Sequence, residues 1–263
     1  APIAITARRR VFLLFISFTA CSSPEEQQLN QSLQLSGNNR QNLESVIQHY
    51  NSDSERQEAA RFLIRNMIGK KTLDSVSVSE NQPYYDALIK RYEQFGVYKK
   101  GIERAICDSI HMLYPNTKVI AVYSTDLKTL SAQYLIEHMN TAFDTWKKHP
   151  WSKNIDFETF CKYILPYTTE NCYGKESDSF FKEKYKDIDK IMHDTDYTQV
   201  ANIISQHIDS IFLSSWSLFA IHHPYLMPTS FSNIMKSNIG TCLEKNIYKI
   251  AALRSLGIPA VLN

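Results

Sequence analysis

Apolar residues recur at helical spacing over most of the chain, in blocks divided by polar or proline-containing stretches. Leu43, Val46, Ile47 and Tyr50 fall at i, i+3, i+4 and i+7 and predict a helix from about Asn42. Ala59, Ala60, Phe62, Leu63, Ile64 and Met67 predict a second, with Gly69 as its stop. Two more helices are expected over 84–98, broken near Gly96, and over 101–114, ended by Pro115. The longest amphipathic stripe runs through Leu130, Tyr134, Leu135, Met139, Ala142, Phe143 and Trp146, with Asp126 as its candidate cap. Asp156 is placed to cap a helix from Phe157 to Leu165 that Pro166 ends. Val200, Ile203, Ile204, His207, Ile208 and Ile211 share a face within 197–212, which makes His207 a hydrogen-bonded core or boundary residue. Lys118 to Tyr123 is β-branched enough for a strand, and 168–179 is polar enough for a loop. No repeat period emerges, and residues 42 to about 190 are expected to be mainly helical.

The last block differs, because its pattern carries candidate chemistry. Thr241 and Glu244 have the spacing of a capping box, which makes Cys242 the first residue of a helix. A helix start offers partial positive charge and unpaired N–H groups. Both stabilise a thiolate, an effect that an ionised Glu244 opposes, and the same N–H groups can receive the oxyanion formed when a thiolate attacks a carbonyl. Leu243, Ile247, Ile250 and Ala251 make one stripe, and Ala252, Leu253 and Leu256 extend it, as in a helix buried on several sides. Gly257 supplies a left-handed stop, Ile258 can pack back on Leu253, Pro259 forbids continuation, and Ala260-Val261-Leu262 begins an expected strand.

The opposite end changes the picture of location. Arg8-Arg9-Arg10 precede a short apolar run from Val11 to Phe18 and then Thr19-Ala20-Cys21, the pattern of a secretory signal. That run is about half the roughly 20 residues a membrane-spanning helix needs. Phe18-Thr19-Ala20-Cys21 resembles the lipobox of bacterial lipoproteins, which implies cleavage before Cys21 and lipid on it; the alternative is an ordinary signal peptide. Residues 22–40, rich in Gln, Asn and Ser, are expected to be a polar linker. Ala1 to Ala7, before the basic run and without an initiator Met, look like translated upstream sequence.

Composition narrows the partners. The chain has 263 residues, 43% of them hydrophobic and 12% aromatic, enough apolar surface to offset the entropy of ordering. Its 29 basic and 27 acidic residues become 26 and 27 without residues 1–20, so no basic excess remains and nucleic acid is not expected as a partner. The five cysteines, Cys21, Cys107, Cys161, Cys172 and Cys242, show no CxxC or Cys/His metal spacing, so no metal site is expected. Cys161 and Cys172 either pair across the intervening loop or are two half-buried thiols, and Cys107 belongs with the latter. His222-His223 is assigned no role, and Trp216 and Phe219 are taken as packing residues.

Gly240-x-Cys242, followed after ten residues by Leu253-Arg254-x-Leu256-Gly257-Ile258-Pro259-Ala260, resembles the core motif of the transglutaminase-like superfamily, whose members share a papain-like fold. The match covers Pro228 to Asn263. Upstream, Ala60-Arg61-Phe62-Leu63-Ile64-Arg65-Asn66-Met67 and Ile164-Leu165-Pro166-Tyr167 resemble helical N-terminal regions of envelope-associated transglutaminase-like proteins from Bacteroidetes. The resemblance implies that Cys242 is a nucleophile whose general base, a His, and its orienting Asp stand on following strands, after Asn263. It implies no cofactor, and no acidic cluster suggests calcium.

The expected fold is mainly α in these residues and α+β overall. Residues 1–21 are a signal and lipobox, 22–40 a linker, 41–190 a helical N-terminal domain, and 191–263 the first part of a papain-like transglutaminase core. The expected function is acyl transfer or hydrolysis at amide or peptide bonds through a Cys242 thioester, on protein or peptide substrates that can be glycan-linked. The setting is the bacterial envelope, with lipid on Cys21 as the anchor. The alternative is an envelope lipoprotein that uses the same fold to bind peptide or glycan without catalysis.

Overall fold

The structure, a computed structural model, describes residues 23–76, 121–169, 172–173, 177–188, 196–214 and 238–262, with isolated positions between 83 and 114 and at 231, 234 and 235. The expected helices over 84–98 and 101–114 fall largely outside the described residues. Arg8 to Arg10, Cys21, Cys107, Trp216, Phe219 and His222-His223 lie outside them as well.

Residues 24–35, expected as linker, form helix α1 (Pro24–Leu35), with Pro24 in the first turn and the Ser23 hydroxyl accepting from the Glu26 N–H at 3.2 Å. Leu29 and Leu33, one turn apart, give it a narrow apolar face, and both are buried. The Ser32 hydroxyl lies 3.3 Å from the carbonyl of Arg65, and Glu26 pairs with Arg61, so the polar side of α1 is tied to a neighbouring helix. A 3₁₀ turn over Gly37–Asn39 leads into α2 (Arg40–His49), and the Asp53 carboxylate caps α3 (Ser54–Arg65) through the Arg56 N–H. Leu43, Val46, Ala59, Ala60, Ile64 and Met67 are all fully buried between these helices, as their spacing predicts.

Strand β1 (Lys71–Val76) pairs antiparallel with β2 (Ala121–Thr125), with an irregularity between Leu73 and Ser75. The expected strand at 118–123 is therefore present in its described part, and its partner was not anticipated. Asp126 does not cap the long helix. It opens the single turn α4 (Asp126–Thr129), where its fully buried carboxylate accepts from Thr72 at 2.6 Å and Tyr167 at 2.8 Å. The cap of α5 (Ala132–Lys148) is Ser131, whose hydroxyl accepts from the Tyr134 N–H. The α5 stripe is buried as expected, and Trp146 stacks on Phe160 with ring centroids 4.3 Å apart. Phe160 belongs to α6 (Phe157–Tyr163), which Asp156 caps through the Thr159 N–H at 2.8 Å. Helices α1 to α6 share one hydrophobic core.

Beyond α6 the expected polar loop holds a two-residue hairpin, β3 (Thr168–Thr169) with β4 (Cys172–Tyr173), and then α7 (Ser177–Lys184). Cys161 is a free thiol, buried in the first core. Helix α8 (Tyr197–Ile211) buries Val200, Ile204 and Ile208, a narrower stripe than expected, since Ile203 is exposed. His207 is exposed too, and its Nδ1 lies 3.0 Å from the Tyr185 hydroxyl. A parallel contact of β5 (Leu213–Ser214) with β6 (Ile239–Gly240) precedes α9 (Cys242–Ser255). A second core gathers Trp151, Phe181, Ile204, Ile208, Tyr248 and Leu256 with their neighbours, so α7 packs with α9 although residue 190 was the expected domain boundary. The described residues are thus mainly helical, with little sheet.

Asp178 links the two parts. Its carboxylate stands 3.4 Å from Nδ1 of His138 on α5, while His138 Nε2 bonds the Leu165 carbonyl at 2.7 Å. Burial alone raises the Asp178 pKa; the hydrogen bond from His138 and the charges of His138 and Lys182 outweigh it and hold the carboxyl below its ordinary value of 3.8. A carboxylate with a depressed folded pKa contributes stability that is present above about pH 4 and lost as pH falls through the folded value. Asp178→Asn is therefore expected to lower stability by about 1–3 kcal/mol at pH 7 and by less at pH 3. Urea midpoints at the two pH values check this.

Candidate active site around Cys242

The approach to Cys242 is built from backbone constraints. Asn238 has a φ of +53°, a left-handed conformation that asparagine tolerates better than most residues. Its carbonyl accepts from the Leu213 N–H at 2.8 Å, and its side-chain oxygen accepts from the Tyr248 hydroxyl at 3.0 Å. Tyr248 is fully buried among Phe181, Phe212 and Phe231, and Lys184 donates to its hydroxyl at 3.0 Å. Burial pushes the Tyr248 phenol up to about 12, so it stays a neutral donor. A side chain two turns into α9 thus fixes the bend that delivers the helix.

Gly240 follows, and here a side chain has no room. A Cβ at this position would stand 2.6 Å from Glu244 Cβ and 3.1 Å from Phe212 Cζ. The glycine of the Gly-x-Cys pattern therefore lets the strand pass against the first turn of the helix. Gly240→Ala is expected to displace that turn, costing about 1–3 kcal/mol, and to slow alkylation of Cys242 by iodoacetamide at least in proportion. Chemical unfolding and peptide-resolved alkylation rates measure the two effects.

The expected capping box is present. Thr241 Oγ1 accepts from the Leu243 N–H at 3.1 Å, and the Glu244 carboxylate accepts from the Thr241 N–H at 2.8 Å and from the Thr241 hydroxyl. Cys242 is exposed, and its N–H has no partner among the described residues. Its sulfur lies 3.5 Å from Ser214 Oγ, the one hydrogen-bonding contact it makes among those residues. Ser214 arrives through the β5–β6 pairing, opposite Gly240. A neutral hydroxyl orients a thiol and does not serve as its base.

The far end of α9 is anchored as firmly as its start. Gly257, at φ +73°, donates to the Arg254 carbonyl at 2.9 Å, and Ile258 to that of Leu253 at 2.9 Å, the two bonds of a Schellman stop. Trp151 Nε1 donates to the Leu256 carbonyl at 2.9 Å, which satisfies a terminal acceptor from outside the helix. A Cβ on Gly257 would meet the Thr145 carbonyl at 3.1 Å, so the turn sits directly on the end of α5. Along α9, Ile247, Ile250, Ala252 and Leu256 are buried as expected, whereas Leu243 is exposed beside the thiol. Ala260 to Leu262 has no regular structure, and the Ala260 N–H donates instead to the Tyr163 carbonyl.

The His138–Asp178 pair does not belong to this site. It faces the same cavity as Ala251, nine residues along α9 from Cys242, or about 14 Å at 1.5 Å per residue. His207 is occupied with Tyr185. Among the described residues no group of three or more His, Cys, Asp or Glu is placed to hold a metal ion, and no helix is long and apolar enough to cross a membrane. Ser214, Asn238 and Tyr248 were not anticipated. Asn before Ile-Gly was an available signal for the left-handed bend, whereas Ser214 reaches the thiol through a pairing that no local pattern announces.

No protein-family model, curated protein or solved structure matches this chain.

Proposed function

We propose that the chain is a transglutaminase-like cysteine enzyme of the bacterial envelope, held to a membrane by lipid on Cys21. Its helical part supports the opening of a papain-like core, and Cys242 is the nucleophile. The observation that carries the reading is the exposed Cys242 thiol on the first turn of α9, a helix capped at Thr241 and closed at Gly257. In the reaction the Cys242 thiolate adds to a carboxamide or peptide carbonyl, with the Cys242 N–H placed toward the oxyanion. The C–N bond breaks, ammonia or an amine leaves with the thiol proton, and an acyl thioester remains. A primary amine or water then attacks the thioester and restores the thiol. The histidine base and the aspartate follow Asn263 on this reading, and Ser214 holds the sulfur in place meanwhile.

The contact of the thiol with a neutral hydroxyl, Ser214 Oγ at 3.5 Å, favours a second reading, in which the same surface binds peptide or glycan and the thiol is incidental. Transfer of a fluorescent primary amine onto a glutamine-rich protein, by the chain extended through its downstream sequence, separates the two. Catalysis gives transfer that vanishes with Cys242→Ala, and binding alone gives none in either protein.

A further inference from the structure

Arg254, the penultimate residue of α9, sends its guanidinium into the segment joining α6 to β3. Nε donates to the carbonyls of Tyr163 at 3.1 Å and Ala260 at 3.0 Å. Nη1 serves the carbonyls of Pro166 at 3.3 Å and Thr168 at 3.2 Å, and Thr169 Oγ1 at 3.0 Å. All five acceptors are neutral, and no carboxylate stands within ion-pair distance among the described residues. Neutral oxygens satisfy the N–H groups of a cation without cancelling its charge, and the half-buried Arg254 gives up part of its hydration with no ion-pair partner among the described residues. Burial lowers the guanidinium pKa from 12.5 to about 10, which leaves it charged at neutral pH.

Nη2 carries two of the five guanidinium N–H groups and donates to none of the described residues. It is not sealed off, because Arg56 Nε is the only fully enclosed side-chain nitrogen or oxygen without a partner among them. Arg254 lines a cavity between α5, α9 and the β3 segment. The cavity measures about 40 Å³, against the roughly 10–15 Å³ that one ordered water needs on this measure. It is partly open to solvent and has room for three or four non-hydrogen atoms. Asp178 is the one carboxylate on its wall among the described residues, and it faces His138 Nδ1. The rest of the wall mixes hydroxyl-bearing side chains, Thr141, Thr145 and Ser255 among them, with apolar ones such as Ile164, Phe231 and Ile247.

We propose that this cavity is a binding site for a small carboxylate, with Arg254 Nη2 as its charged donor. A carboxylate supplies the missing charge and two acceptor oxygens in the plane that a guanidinium prefers. The site is distinct from Cys242, at the other end of the same helix, and stands whether or not that thiol is catalytic.

Sodium acetate is the probe, at constant ionic strength against sodium chloride, with acetamide as the neutral isostere. The readout is the side-chain ¹⁵N–¹H resonances of Arg254 in the intact chain. Saturable shifts are expected with a dissociation constant on the order of 1–10 mM, together with no saturation by acetamide. Ala251→Leu fills the cavity while leaving the five Arg254 hydrogen bonds in place, and is expected to weaken acetate at least about tenfold, a difference of some 1.4 kcal/mol. Arg254→Gln is expected to abolish binding, and if that variant fails to fold, Ala251→Leu decides alone. Acetate that does not saturate, acetamide or chloride that shifts the same resonances equally, or undiminished binding in Ala251→Leu would each make Arg254 a structural clamp and overturn the proposal.

Discussion

Trp151→Ala is expected to lower the stability of the chain by about 3–5 kcal/mol, the largest effect of any single truncation in the second core. The indole is fully buried and stacks on His149 with ring centroids 4.6 Å apart and an interplanar angle of 6°. Truncation leaves a cavity that the helices around it close only partly. It also leaves the buried Leu256 carbonyl without the donor that ends α9, a separate cost of about 1–3 kcal/mol. Trp151→Phe keeps most of the apolar contact and isolates that second contribution. The damage is expected to be local: amide exchange rises in α9 and α7, whose side chains share the core with Trp151, before it rises in α2 and α3. Urea unfolding with an unchanged m-value gives the total. A loss below about 1 kcal/mol would mean that the docking of α9 on the 150–152 turn contributes little.

If Cys242 is the nucleophile that we propose, Cys242→Ala is expected to abolish amine transfer, a fall in kcat on the order of 10⁴-fold or more, because the group that would form the acyl intermediate is gone. Cys242→Ser is expected to be nearly as inactive, since a hydroxyl beside Ser214 is a far weaker nucleophile than a thiolate. Neither substitution removes packing, as the side chain is exposed, so unfolding midpoints should move by less than about 0.5 kcal/mol. Cys161 is the internal control. It is buried, and burial pushes its thiol up to about 12, so at neutral pH it neither alkylates nor acylates. Activity lost with stability intact identifies a chemical role, and activity lost along with the fold identifies a structural one.

What could be read from the sequence and what could not divides along the range of the interactions. Thr241, Glu244, Gly257 and Pro259 act within one or two helical turns of themselves, so their spacing alone gave the start and stop of α9. The stripes of α2, α3 and α5 were visible for the same reason. Helix α1 was hidden because Gln, Asn and Ser dominate it, although Ser23-Pro24-Glu25-Glu26 is a helix-start signature and Leu29 with Leu33 a one-turn apolar pair. Asp126 has the residue type of a cap, but its carboxylate is taken by Thr72 and Tyr167, which no local pattern predicts. Ala260 to Leu262 has strand-like residues, yet among the described residues Ala260 meets only the ends of α6 and α9, and a strand requires a ladder. The placement of Ser214 beside the thiol, Tyr248 behind Asn238 and Trp151 beneath Leu256 depends on contacts between distant segments. Arg254 stood within the Leu-Arg-x-Leu-Gly-Ile-Pro pattern from the outset. Its function as a grip on the 163–169 segment appears only once that segment is folded against it.

The central claim is that the capped helix start makes Cys242 a nucleophile toward carboxamides. The most direct measurement is acid-quenched peptide mass spectrometry of the chain, extended through its downstream sequence, after brief exposure to an N-protected glutaminyl peptide without amine acceptor. The account predicts an acyl adduct on the Cys242 peptide that hydroxylamine removes and that is missing from Cys242→Ala and from the Cys161 peptide. Ammonia release that persists in Cys242→Ala, or an intact protein in which the Cys242 peptide never carries the acyl group, would contradict it.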